Sequence, residues 1–409
     1  MNKVQIDPVR RRLWLDPSDP AFVQDPYPAY AAARQAGPAL FWEQYGHWCL
    51  FDHAGVSAAL RDRRLGREIL HVASREELGW PEEPAHLAPF YAVDRLTMLE
   101  REPPVHTRLR GLVNRAFVSR QVERLRPRIA AHAHALIDGF ASDGQVELID
   151  SFATPIPVRV IAELLGVQTH ETGRLLDWSH RMVAMYRINR TRADEHDAVS
   201  ATNAFVSFLT VLVAERRTRL EDDLISRLIA VQDENGQLSE PELIASCILL
   251  LNAGHEATVH AIGNGVKAML EHRIGSGPDA TVASTVEEAL RLDPPLHMFT
   301  RYALEDLELG DVQLRRGEQV GLMLGAANRD PAAYADPDRF IPGRDGPAQA
   351  GFGGGIHFCL GAPLARLELE VVLPILLDRL PGLRMAAVPR YANSYHFHGL
   401  AALDLAWER

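Results

Sequence analysis

Residues 351–366 read GFGGGIHFCLGAPLAR, and no other stretch limits the fold as strongly. Glycines at 351, 353, 354, 355 and 361 strip away side-chain bulk and permit positive φ, so the backbone can curl closely beneath a flat group. A helical pattern starts at about Ala362. Backbone N–H groups and the positive end of that helix would stabilise a thiolate, which makes Cys359 a candidate anionic metal ligand. A lone cysteine in such a turn is otherwise an ordinary buried thiol. The spacing of its neighbours has to decide.

Composition narrows the setting. The three cysteines, Cys49, Cys247 and Cys359, are odd in number and far apart, which argues against a disulfide framework and for a reducing, cytoplasmic compartment. No apolar run follows the basic residues of the N-terminus, and the longest one noted, around Ile248–Leu251, is far short of a membrane span. Net charge is 43 − 54 = −11, which argues against nucleic acid as a partner. Against that balance, residues 108–128 hold seven arginines and one acid, Glu123, a face suited to an acidic partner. No linker divides the 409 residues; Gly275–Gly277 and 343–350 are too short for tethers.

Local patterns place the elements. Residues 38–52 read as two short strands around Gln44–Gly46, and Asp25–Tyr30 as a proline-set turn into a first helix. Trp80–Leu99 lacks periodicity and reads as mostly irregular, whereas 121–232 is almost wholly helical in pattern. Pro103 and Pro104 open a helix that carries His106 and Arg110 four apart on one face, a cationic pair suited to a carboxylate but also common on a solvated face. Leu296–Phe299, Gly310–Val312 and Val320–Leu324 suggest further strands.

A long helix is expected from Ser239, as N-cap with Glu242 as capping-box partner, to about His272. Within it, Ala253-Gly254-His255-Glu256-Ala257-Thr258-Val259-His260 invites a zinc-protease reading. His255 and His260 are five apart, about 140° around a helix, where such chelation needs i and i+4. Ala253, Gly254, Ala257 and Ala261 form instead a stripe of small residues, suited to a flat ring or to close helix packing.

The loop's pattern Phe352-Gly353-x-Gly355-x-His357-x-Cys359-x-Gly361 resembles, at every defined position, the haem-binding loop of the cytochrome P-450 family. The resemblance runs from Asp25 to Leu403, with Glu288-x-x-Arg291, completed by a later arginine assigned to Arg344, as a second motif. It implies a mainly α fold over residues 1–409, a single triangular helical domain with a small β-rich lobe at about 25–65 and 296–325 plus C-terminal strands. It implies haem b (iron protoporphyrin IX), with Cys359 as iron ligand, His106, Arg110, Arg301 and His357 toward the propionates, and Phe352, Gly361, Ala253 and Gly254 against the ring.

The implied activity is a haem-thiolate monooxygenase that inserts one oxygen atom of dioxygen into an apolar small molecule. Electrons would come from NAD(P)H through a ferredoxin reductase and a ferredoxin. The family places an acid followed by threonine where protons reach dioxygen. Here the acid is Glu256, the next residue is Ala257, and the hydroxyl comes at Thr258, turned by about 100°. Proton delivery through Glu256 and Thr258 would then lean on water or a substrate hydroxyl. Ala257 also leaves open a peroxygenase or a non-oxygenating rearrangement enzyme; a haem-binding sensor would need no relay acid.

Overall fold

In the structure, a computed structural model that describes residues 4–116, 122–187, 190–235, 238–272, 281–395 and 397–408, tertiary contacts gather the chain into two units. One comprises Met1–Ala73, Ile129–Ala153 and Ala257–Arg409, the other Ser74–Arg128 and Thr154–Glu256. Among the helices of the two units are α1 (Val105–Ala116), α2 (Thr172–Val183), α3 (Arg192–Thr218), α4 (Glu240–Glu271), α5 (Val282–Leu292) and α6 (Ala362–Arg379).

The first unit is built on a seven-stranded sheet. Its strands are β1 (Gln5–Asp7), β2 (Arg12–Trp14), β3 (Ala39–Trp42), β4 (His47–Leu50), β5 (Leu65–Gly66), β6 (Phe299–Ala303) and β7 (Gln319–Leu322), in the order β1-β2-β3-β4-β7-β6-β5. The expected hairpin is β3 and β4, with Phe41 opposite Trp48 and Gly46 at φ +70°, a turn conformation that favours glycine. Period-two alternation sends Leu40 and Trp42 into a cluster with Phe22 and Tyr30, and Ala39, Val320 and Leu322 into another, so both faces are covered.

Non-local pairing overrides several local expectations. The strand foreseen at Leu296–Phe299 starts only at Phe299 and pairs with β7. Val312–Leu314 closes a separate hairpin with Leu307–Leu309 rather than joining the large sheet. Gln145–Glu147, inside the stretch read as helical, is a strand because Asp404–Ala406 pairs with it from the other end of the chain. Residues 273–280, which include the Gly275–Gly277 stretch, lie outside the described residues.

The second unit holds α1, α2, α3, two further helices (Pro155–Leu165 and Leu224–Asn235) and the first half of α4. The stretch Trp80–Leu99 is not mostly irregular: Ala88–Asp94 is helical, started by Pro89 and anchored by buried Phe90, and 3-10 turns lie at Ala85–Leu87 and Met98–Glu100. By length and composition α3 is apolar enough to cross a membrane. It nonetheless buries one stripe, Ala198, Ala201, Phe205, Leu209 and Val213, with Phe205 5.4 Å from Trp178 of α2, as a core helix does. Ser239 and Glu242 form the expected reciprocal cap: the Glu242 amide donates to Ser239 Oγ at 3.4 Å and the Ser239 amide to Glu242 Oε2 at 2.9 Å.

In the first unit, α5 is tied to the long connection before α6 by one carboxylate. Arg291 donates through Nε to Glu288 Oε2 at 2.7 Å and through Nη2 to Oε1 at 2.8 Å. Arg344 Nε reaches the same two oxygens at 3.0 and 3.1 Å, and the Ile341 amide adds a bond to Oε1 at 2.7 Å. Remaining guanidinium donors of Arg291 go to the carbonyls of Asn328, Pro337 and Arg339. With Glu288 and Arg291 both nearly inaccessible, removing either partner strands a buried charge, at a cost of about 3–5 kcal/mol. Glu288→Ala is therefore expected to lower the urea unfolding free energy by that amount, and a loss below about 1 kcal/mol contradicts the network's structural role.

Candidate active site

The cysteine loop owes its shape to local constraints. The Cys359 amide donates to the Phe352 carbonyl at 2.9 Å, and the Gly353 amide to Ala350 at 2.8 Å. Gly353 and Gly355 sit at φ +71° and +65°, whereas Gly354 is extended and Gly361 is the helical N-cap of α6. Positive φ is thus needed at two of the five glycines. A Cβ on Gly355 would stand 2.4 Å from the Leu60 carbonyl oxygen, so no larger residue fits there without moving backbone. Arg366 pairs with Glu287 and stacks its guanidinium 4.6 Å above the Phe352 ring, pinning α6 to the loop.

Of the three cysteines, none is in a disulfide, and they differ in access. Cys49 and Cys247 are fully buried, and burial pushes their thiols up, that of Cys247 to about 12. Cys359 is partly exposed at the start of a helix. A soft, accessible sulfur beside a helix N-terminus, on a loop stripped of side chains, fits a thiolate ligand to haem iron. In the same unit His357 and Phe352 are half-buried on the loop, and Arg301 is buried on β6, donating to the Thr300 carbonyl at 2.9 Å.

In the second unit His106 is buried and Arg110 half-buried on α1, one turn apart. Ala253 is exposed on α4. Gly254 meets a neighbour: a Cβ there would lie 3.2 Å from Ile161 Cδ1 of the helix Pro155–Leu165, which makes close helix packing one reason for this glycine. Glu256 has Oε2 buried with no hydrogen-bond partner among the described residues. Burial raises its pKa to about 7, with Arg187 pulling weakly the other way. Ala257 and Thr258, the next two residues of α4, are half-buried and buried respectively. The resemblance pointed to Glu256 but not to His180, which lies close to it, or to Arg187, whose charge acts on it, because both come from a distant segment.

The cytochrome P450 family model matches residues 281–381. Over 403 residues the chain is 38% identical to Cytochrome P450 107B1 of Saccharopolyspora erythraea, covering 95% of this chain and 96% of that protein. The chain belongs to the cytochrome P450 family. It is also 37% identical over 403 residues to 6-deoxyerythronolide B hydroxylase of the same organism, covering 95% and 94% of the two chains. Among solved structures, P450BioI in complex with hexadec-9Z-enoic acid ligated acyl carrier protein matches this P450 with a TM-score of 0.87 at 32% identity, over 95% of this chain and 100% of that one. The fold is accordingly the P450 fold, haem is the cofactor, and the enzyme is a P450 monooxygenase.

Glu256 in this P450 carries a cost that pH exposes. The folded protein holds the carboxyl proton up to about pH 7, the unfolded chain only to about 4.5, so stability falls as pH rises through that window. Glu256→Gln is expected to stabilise the holoenzyme by about 3 kcal/mol at about pH 8, shrinking to about 1 kcal/mol at about pH 5. An equal gain at both pH values in urea unfolding contradicts the buried-acid assignment.

Proposed function

We propose that the chain works as one soluble, cytoplasmic monooxygenase domain that takes electrons from a ferredoxin-type protein and hydroxylates or epoxidises a largely apolar small molecule. The cysteine loop carries this reading. Cys359 is the one partly exposed cysteine among the three, set at a helix N-terminus where an anionic sulfur is stabilised. When bound there, haem supplies dioxygen activation and transfer of one oxygen atom, the other leaving as water at the expense of two electrons and two protons. His106, Arg110, Arg301 and His357 are assigned to the propionates as cationic or hydrogen-bonding partners, and Phe352, Gly361, Ala253 and Gly254 to the ring.

Glu256 is assigned to proton handling. A carboxyl that titrates near neutrality can both hold and release a proton at working pH, which an ordinary surface glutamate cannot. Thr258 supplies the nearby hydroxyl two residues along α4, and Ala257 leaves no hydroxyl between them. Water or a substrate hydroxyl then has to complete the path. Ala257 is also the observation that favours a second reading, a peroxygenase or rearrangement enzyme.

Relatives bear on the substrate and the donor. One relative is named for hydroxylating 6-deoxyerythronolide B, and one similar structure holds a hexadec-9Z-enoic acid ligated acyl carrier protein. Electron delivery is assigned to the arginine-rich stretch of the second unit, where Arg115 and Arg124 are exposed. Arg108 contributes less than its position suggested, because it pairs with Glu242 at 2.5 Å, and Arg126 pairs with Glu123. Arg120 lies outside the described residues.

The test supplies NADH, a ferredoxin reductase and a ferredoxin to the purified holoenzyme with an apolar substrate that shifts the ferric spin state. Sustained product formation that weakens as salt rises is the expected result. Turnover with peroxide and none with reduced ferredoxin assigns the protein to the second reading.

A further inference from the structure

The imidazole of His255, on α4, is only 1% exposed. Its Nδ1 lies 2.8 Å from the Leu251 carbonyl one turn back. A carbonyl only accepts, so Nδ1 carries the ring proton and the lone pair is left on Nε2. Nε2 is buried and has no hydrogen-bond partner among the described residues, as is the case for Glu256 Oε2 on the next residue. Two adjacent buried groups with unsatisfied lone pairs ask for a ligand that accepts them.

The third member comes from α2. His180 is exposed at its own surface, with its ring centre 5.7 Å from that of His255. One ring nitrogen from each histidine and one carboxylate oxygen of Glu256 all lie within 4.8 Å of one another. Tetrahedral zinc at ~2.0–2.1 Å from its ligands holds them ~3.3 Å apart, so closure asks for a small side-chain rotation, for which His180, at the surface, is the candidate. The zinc-protease spacing fails in the structure as in the sequence, since His260 packs its ring 5.7 Å from Phe397. A different histidine, 75 positions upstream of His255 (255 − 180), takes its place.

We propose that His180, His255 and Glu256 form a binding site for a divalent transition cation of the zinc class, and that filling it inhibits turnover by withholding Glu256 from proton transfer. Two imidazoles and one carboxylate select such a cation over magnesium or calcium, which prefer all-oxygen sites. The inhibitory half rests on Glu256 being the proton-handling acid; the binding half does not.

The experiment dialyses purified holoenzyme against Zn²⁺, counts bound metal by elemental analysis, and follows ferredoxin-driven turnover and the carbon monoxide spectrum in parallel. Wild type is expected to hold one zinc per chain in the presence of excess Mg²⁺, and to lose turnover over the same Zn²⁺ range. His180→Ala, with an unchanged carbon monoxide spectrum, is expected to bind that zinc at least about 10-fold more weakly and to resist inhibition. Wild-type affinity in both His180→Ala and His255→Gln overturns the site. If Glu256→Gln slows turnover without zinc while no zinc binds the trio, the reading of Glu256 stands and the metal site falls. If zinc fills the trio and turnover is unchanged, the site stands and the inhibitory half falls together with that reading of Glu256.

Discussion

One carboxylate anchors the half of the protein that bears the cysteine. Glu288 accepts from Arg291, from Arg344 and from the Ile341 amide, so a single buried charge holds α5 against the connection that runs on to the cysteine loop. A buried ion pair is seldom a gain over a well-packed apolar core, but once built it punishes any arrangement that leaves a partner alone. That penalty selects one path for residues 337–344, and the loop that follows starts from a fixed point. Asn328 extends the same tie, its side-chain oxygen accepting from the Ala350 amide at 2.7 Å just ahead of Gly351.

The site residues illustrate two uses of burial. Around Cys359, side chains are removed: a bare Gly355 lets the loop lie against the Leu60 carbonyl, and the thiol keeps the access that Cys49 and Cys247 lack. At Glu256 burial acts on charge instead, lifting the carboxyl toward neutrality. The fold bears that instability above the acid range, a pattern common where a group's chemistry demands a perturbed proton affinity. His255 belongs to the same economy, a neutral imidazole with its lone pair turned away from solvent.

Legibility followed the range of the interaction. The Ser239–Glu242 cap, the turn at Gly46 and the start of α6 after Gly361 are each decided within a few residues, and local pattern located all three. β1 and β2 left no such trace, since β2 becomes a strand by pairing with Phe41 and Trp42. Gln145–Glu147 waits on Leu405 in the same way. Within the candidate site, the loop around Cys359 and the acid at 256 were legible through their resemblance to family motifs. What surrounds Glu256 was not, because His180 and Arg187 reach it through tertiary folding. Gly254 was ambiguous in sequence between ring contact and helix packing, and Ile161 at 3.2 Å shows the packing.

The account stands or falls on the sulfur of Cys359. The most direct measurement is the carbon monoxide difference spectrum of the reduced holoprotein, compared between wild type and Cys359→Ala. A thiolate ligand from Cys359 to the haem iron would give wild type a strongly red-shifted band, and the variant is expected to lose it even where haem is retained. A red-shifted band that survives in Cys359→Ala contradicts the assignment of the iron ligand.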